Sequence, residues 1–180
     1  MLSEIDVIQD ISRKFEGLEI PYMLTGSIAM NYYASPRMTR DIDVVVVMGK
    51  ENIDKVVEAF GMDYYISKEA VELSIENESM FNMIHLESVI KVDCIVRKST
   101  EYRQLEFERR HEITLKDFKT YVVSKEDLVL SKLVWAKDSR SEMQLKDVSN
   151  LLATGCDEHY LVEWADQLGV SHLLCEVRDA

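Results

Sequence analysis

Two aspartates one residue apart run directly into four consecutive valines, Asp41-Ile42-Asp43-Val44-Val45-Val46-Val47. β-Branched side chains are stiff at χ1 and pack well on a pleated surface, so this stretch favours a strand over a helix. An unbroken apolar run, as opposed to an alternating one, marks a strand buried on both faces, which places residues 41–47 in the middle of a sheet. Side chains two apart on a strand emerge on the same face, so Asp41 and Asp43 stand side by side at the mouth of a buried strand. They read in two ways. One is a pair of surface acids at an exposed strand end. The other is a pair of ligands for a cation, since bare carboxylates are costly beside a core. Oxygen-only donors suit Mg²⁺, which takes one or two carboxylates and completes its shell with water and phosphate; Mn²⁺ is the alternative ion.

The remaining pattern predicts a sheet first and helices last. Ser3 caps a helix with Ile5, Ile8, Ile11 and Phe15 at helical spacing, ended by Gly17. Residues 22–24 read as a short buried strand, 28–33 as a short helix stopped by Ser35-Pro36, and 51–60 as a helix closed by Gly61. A further helix is expected over 68–76, then strands over 80–86, 89–96 and 120–123. Ser124 caps a long helix to about Trp135, and three more helices follow near 141–153, 157–168 and 171–178. The expectation is an α+β fold: an α/β core over 1–123 with a C-terminal helical unit over 124–180 packed on it.

Composition narrows the classes. The 180 residues are 47% hydrophobic and 30% charged with six glycines and two prolines, which excludes a disordered or fibrous chain. The longest apolar run, Val44 to Met48, is far too short to span a bilayer as a helix. The acidic N-terminal stretch does not read as a secretory signal, and three scattered cysteines suit reduced thiols, so a cytoplasmic location is expected. The net charge of −12 argues against a protein that coats nucleic acid. The acidity is local, however: 49–88 carries −6 and 151–180 carries −5, while 89–119 is net +2. An anionic ligand belongs away from the first two segments.

Gly26-Ser27 follows one strand and opens a helix. Glycine lets backbone approach a ligand, and free N–H groups at a helix start attract an anion. By itself Ser27 is equally an ordinary helix cap. The signal gains weight from the aspartate pair on the next strand, because a phosphate cradle and a metal pair would meet over a triphosphate. Arg37 and Arg40, in the loop leading to that pair, can hold phosphate or simply balance the carboxylates. Lys132 has Leu128, Val129, Trp135 and Ala136 as helical neighbours, so its ammonium either snorkels to water or points into a cleft towards an anion. The basic residues of 89–119 can grip a short acceptor end or can be a solvated face laced with glutamates. Cys156-x2-His159 and His172-x2-Cys175 have zinc-like spacing but are expected in amphipathic helices, where cysteine is usually a small core residue.

The Gly-Ser, spacer, Asp-Ile-Asp pattern resembles the signature of the DNA polymerase β nucleotidyltransferase superfamily. The resemblance implies a nucleotidyltransferase-like mixed sheet flanked by helices, and a third carboxylate from a later apolar strand. Asp93, the one acid in Ile90 to Val96, fits that place, although it can equally pair with Lys91 on an edge strand. Thr39-Arg40-Asp41-Ile42-Asp43, and the block from Glu126 through Lys132 and Arg140 to Lys146-Asp147, is similar to the bacterial AbiEii-type nucleotidyltransferases of toxin–antitoxin and phage-defence operons. The resemblance covers about residues 22–152. It implies an enzyme using ATP or another NTP and Mg²⁺ held by Asp41, Asp43 and Asp93, with Gly26, Ser27, Arg37, Arg40 and Lys132 on the nucleotide. It also implies that Asp147 places the acceptor or acts as a base. The acceptor hydroxyl stays open among a tRNA or other RNA 3′ end, a protein and a small molecule. An operon partner protein, or a non-catalytic nucleotide- or partner-binding role, stays open as well.

Overall fold

A computed structural model describes residues 3–34, 36 and 41–179. They divide into two compact units, one of residues 1–28 with 38–123 and one of 29–37 with 124–180. Arg37 and Arg40, and with them Thr39, lie outside the described residues.

The first unit is built on a seven-stranded mixed sheet of order β3-β4-β5-β2-β1-β7-β6. Its strands are β1 (Tyr22–Leu24), β2 (Asp41–Val46), β3 (Tyr64–Ile66), β4 (Met80–His85), β5 (Lys91–Val96), β6 (His111–Leu115) and β7 (Phe118–Val122). The valine strand β2 lies third from neither edge but in the middle, antiparallel to β1 and parallel to β5. Ile42, Val44 and Val46 are sealed on one of its faces, and Val45 is buried on the other. Helices α1 (Glu4–Gly17), α3 (Ile53–Phe60), α4 (Lys68–Glu76) and α5 (Glu101–Glu108) belong to this unit. Ser3 and Asp6 close a reciprocal capping box on α1, whose Val7, Ile8, Ile11 and Phe15 are buried. An aromatic chain runs through the core: Phe15 meets Tyr22 and Phe60, and Phe60 meets Tyr64.

The helix α2 (Gly26–Tyr33) starts in the first unit and ends in the second. The second unit holds α6 (Lys125–Ser139), α7 (Glu142–Leu152), α8 (Glu158–Gln167) and α9 (Ser171–Asp179). Its apolar seam is Leu128, Val129, Leu133, Val148, Leu151, Leu161, Ala165 and Leu174. Ser124 caps α6, accepting from the Asp127 amide.

The expected helices and strands form within a few residues of their expected limits. Three elements had no clear expectation: β3, β6 and α5. β3 is an edge strand of only three residues, Tyr64-Tyr65-Ile66, too short to stand out, and β6 is an edge strand with exposed His111, Glu112 and Thr114. Among the described residues, no helix is long and apolar enough to cross a membrane.

Candidate active site

The sheet brings Asp41, Asp43 and Asp93 onto one face. In the parallel pairing of β2 with β5, Asp43 lies opposite Asp93 and Asp41 lies opposite Lys91. Directly opposed residues on neighbouring strands share a face, and residues two apart on one strand do too. Asp41 is exposed, Asp43 is half-buried and Asp93 is buried. β5 is an inner strand, flanked by β2 and β4, and the expected ion pair forms all the same. The Lys91 ammonium stands 3.0 Å from Asp93 and 4.0 Å from Asp41. Its hydrogen bond to Asp93 holds its pKa above the ordinary lysine value against the cost of partial burial, and the charges of Asp93, Asp41 and Asp43 add to the effect. Asn82, opposite Asp93 on β4, donates its side-chain amide to the Asp93 carboxylate.

Gly26 meets this cluster from the other side of β2. Its φ is +56°, and a Cβ built on it would lie 2.0 Å from Asp43 Oδ2. Only glycine allows both this backbone conformation and this closeness. The Thr25 amide donates to the Asp43 carbonyl at 3.0 Å, which ties the Gly26-Ser27 turn to the aspartate strand. Ser27, in the first turn of α2, is half-buried.

The donor set tests the fit of a divalent cation. Among the described residues no three His, Cys, Asp or Glu side chains close on one point as a ready-made cage. Three carboxylates and an amide do share a face, all with oxygen donors. A protein cation, Lys91 Nζ, lies between two of the acids, so that space is electrostatically built for positive charge. This arrangement suits Mg²⁺, which borrows most of its shell from water and substrate phosphate, better than a metal needing a closed protein cage.

In the second unit, Lys132 and Asp147 are brought together. Lys132 Nζ lies 2.8 Å from Asp147 Oδ2 and donates to Gln144 Oε1 at 3.0 Å, with both ion-pair partners buried. The ammonium thus neither snorkels to water nor lacks a counter-ion, and Asp147 pairs with Lys132 across the two helices; Arg140 is exposed at the left-handed end of α6. A second buried acid, Asp127, accepts from Ser124 Oγ at 2.5 Å and from the Tyr160 hydroxyl at 2.7 Å. Of the cysteine and histidine residues with zinc-like spacing, Cys156 sits in the loop before α8, not in a helix, while Cys175 and His159 are exposed.

Asn82, Gln144 and the Asp127 network were missed in the sequence. For Asn82 a signal existed: Met80, Asn82 and Ile84 alternate with buried Phe81, Met83 and His85, which puts the amide on the aspartate face. For Gln144 and Tyr160 no local pattern names a partner 12 or 33 residues away.

No protein-family model and no curated protein sequence matches the chain. Solved structures do resemble it. The lincomycin-bound lincosamide antibiotic adenylyltransferase LnuA superposes with a TM-score of 0.57 at 20% identity, over 85% of this chain and 98% of that one. ANT(2″)-Ia in complex with adenylyl-2″-tobramycin gives 0.59 at 11% identity, over 99% and 98%. An antigenic nucleotidyltransferase-like protein from Paracoccidioides brasiliensis gives 0.58 at 15% identity, over 82% and 73%. At these identities the likeness concerns the backbone path. With its mixed seven-stranded sheet, flanking helices and carboxylates on β2 and β5, the chain has the nucleotidyltransferase fold.

Proposed function

We propose that the protein is a divalent-metal-dependent nucleotidyltransferase that moves NMP from an NTP such as ATP to an acceptor hydroxyl. The observation that carries this reading is the register of β2 with β5, which sets Asp43 against Asp93 and Asp41 two residues along the same face. Asp41 and Asp43 would hold Mg²⁺ or Mn²⁺ against the triphosphate, with Asp93 as the third ligand. The bound ion would neutralise phosphate charge and acidify the attacking hydroxyl. The chain's own groups do the rest. The Gly26-Ser27 turn offers backbone N–H groups and a hydroxyl to the phosphates. Asp93, held in place by Asn82 and Lys91, accepts the acceptor's proton. The acceptor oxygen forms a bond to the α-phosphorus while the bond to the bridging oxygen breaks, and pyrophosphate leaves with that electron pair. Catalysis is mostly positioning and charge neutralisation.

LnuA carries lincomycin and ANT(2″)-Ia an adenylylated tobramycin, which favours a small-molecule hydroxyl over an RNA end or a protein. Kinship with the AbiEii-type enzymes, and a toxin–antitoxin setting with an operon partner, rest on Thr39 to Asp43 and on the Lys132 to Asp147 block. Contact of Arg37, Arg40 or Lys132 with nucleotide, and Asp147 as an acceptor-placing group, belong to the same proposal, as does a cytoplasmic location. Lys91 in the cation's place favours one second reading, a nucleotide- or partner-binding protein without catalysis.

Labelled NTP offered with Mg²⁺ and separate pools of RNA, protein and small molecules decides between them. Product that falls about 100-fold or more in Asp41→Ala/Asp43→Ala is expected. Transfer that survives the double change sinks the enzyme reading. Stabilisation by ATP and Mg²⁺ with no product from any pool favours the binding module.

A further inference from the structure

The aspartate face of the sheet continues past β5 as an exposed apolar strip. One cross-strand row reads Asp41, Lys91, Ile84, Tyr65 from β2 through β5 and β4 to β3. The next row reads Asp43, Asp93, Asn82. A third pairs Ile95 with Met80. Beyond Lys91 and Asp93 the strip carries no charge in these rows, and its apolar members are open: Tyr65 is 65% exposed, Met80 52% and Ile84 38%. Leu86 and Val89, in the turn between β4 and β5, are exposed at its end. Large apolar side chains gathered in one place on a surface mark a contact site more often than scattered ones do.

The direction of the strip identifies its occupant. In-line displacement sets the attacking oxygen and the leaving pyrophosphate on opposite sides of the α-phosphorus. The Gly26-Ser27 turn follows β1 and packs on Asp43, so the phosphates run to the β1 side of β2. The acceptor must then come from the other side, over β5 and β4, where Asp93 stands ready for its proton. Strands lie about 4.8 Å apart, so Tyr65 is about 10 Å from Lys91 and about 14 Å from Asp41 across the row. That span matches a drug-sized molecule and is short for a folded partner.

We propose that Tyr65, Ile84 and Met80 form the acceptor shelf, and that the acceptor is an uncharged amphiphilic small molecule with an aromatic or aliphatic body and a reactive hydroxyl. The inference rests on the nucleotidyltransferase reading and names its substrate class. The body lies over Tyr65 and Ile84, Asn82 stands between Ile84 and Met80 on β4, and the hydroxyl reaches Asp93. The three rows offer a polycation no carboxylate beyond those of the metal site, and Glu87 lies outside them, in the turn that carries Leu86 and Val89.

The test uses the full chain with ¹³C-methyl methionine and 4-methylumbelliferyl β-D-glucoside as the probe. A saturable shift of the Met80 methyl signal is expected, weakened at least tenfold in Tyr65→Ser/Ile84→Ser and unchanged in the surface control Leu73→Ser on α4. Because the altered side chains are exposed, circular dichroism should match wild type; Tyr65→Ala alone serves as a second variant if it does not. An unmoved Met80 signal at the solubility limit of the probe, or equal binding by the double variant, overturns the proposal. So does a Met80 signal that shifts with tobramycin or an RNA oligonucleotide but not with the glucoside, or one that broadens with protein concentration alone, which would assign the strip to a second copy. Labelled-NTP transfer by wild type with Mg²⁺, measured separately, judges the nucleotidyltransferase reading; its absence from every acceptor pool removes that reading while the Met80 titration still judges the shelf.

Discussion

Two lysine–aspartate pairs of nearly equal length occupy very different surroundings. Lys91 and Asp93 are 3.0 Å apart, with side chains 39% and 10% exposed, beside two further carboxylates. Lys132 and Asp147 are 2.8 Å apart with side chains 6% and 5% exposed, and Gln144 takes another ammonium proton. In the open pair water reaches the lysine, and on the proposed reading a metal ion would compete with it for the same acids. In the sealed pair burial strips both charges of water, so protein groups and not solvent must compensate them. The difference separates a charge pair that solvent reaches from one enclosed within its folded unit.

The sealed pair should break hardest. Lys132→Met removes the ammonium 2.8 Å from buried Asp147, and a loss of about 3–5 kcal/mol is expected in chemical denaturation. If the loss stays below about 1 kcal/mol, the pair is not sealed and the contrast fails. A glycine change probes the open site next. Gly26→Ala puts a methyl group onto the Asp43 carboxylate and an L side chain at positive φ, with an expected cost of about 1–2 kcal/mol from the backbone alone. NTP transfer should fall further than stability does, because Asp43 must move.

Alkaline titration comes third. Burial pushes the Tyr22 hydroxyl up to about 12, and raises those of Tyr33 and Tyr64 as well. A raised folded-state pKa favours the protonated form in the fold. The stability it supplies is therefore complete below about pH 10 and lost as pH rises towards 12. Melting temperatures should decline across that window, and less steeply in Tyr22→Phe. Lys91, also raised, loses its part in the same direction. The smallest effect is expected from Lys91→Met, within about 1 kcal/mol, because the lysine is 39% exposed and Asp93 keeps its hydrogen bond from Asn82. Added Mg²⁺ should stabilise this variant more than wild type, and an equal response would show that Lys91 and the metal do not compete.

How far the sequence could be read followed where each interaction lies along the chain. Four valines announce a buried strand without help, and Ser3 and Ser124 announce their helices through a cap closed within three residues. Asp41 and Asp43 declare a shared face by spacing alone. Their meeting with Asp93 depends on a parallel pairing across some 50 residues, which no local pattern encodes and which entered only through resemblance. Lys132 was recognisable as a charge on an apolar face, but its partner sits 15 residues on, in another helix, and helical spacing cannot see across a turn. Edge strands β3 and β6 were obscure for a related reason. An edge has one neighbour, so its residues answer to solvent as much as to the core, and the apolar signature fades.

Lys91 and Asp93 lie two residues apart on β5, in register with Asp41 and Asp43. Any pairing of β5 with β2 that brings the third aspartate to the first two therefore brings a lysine with it, and the strand that adds the last negative charge carries its own positive one.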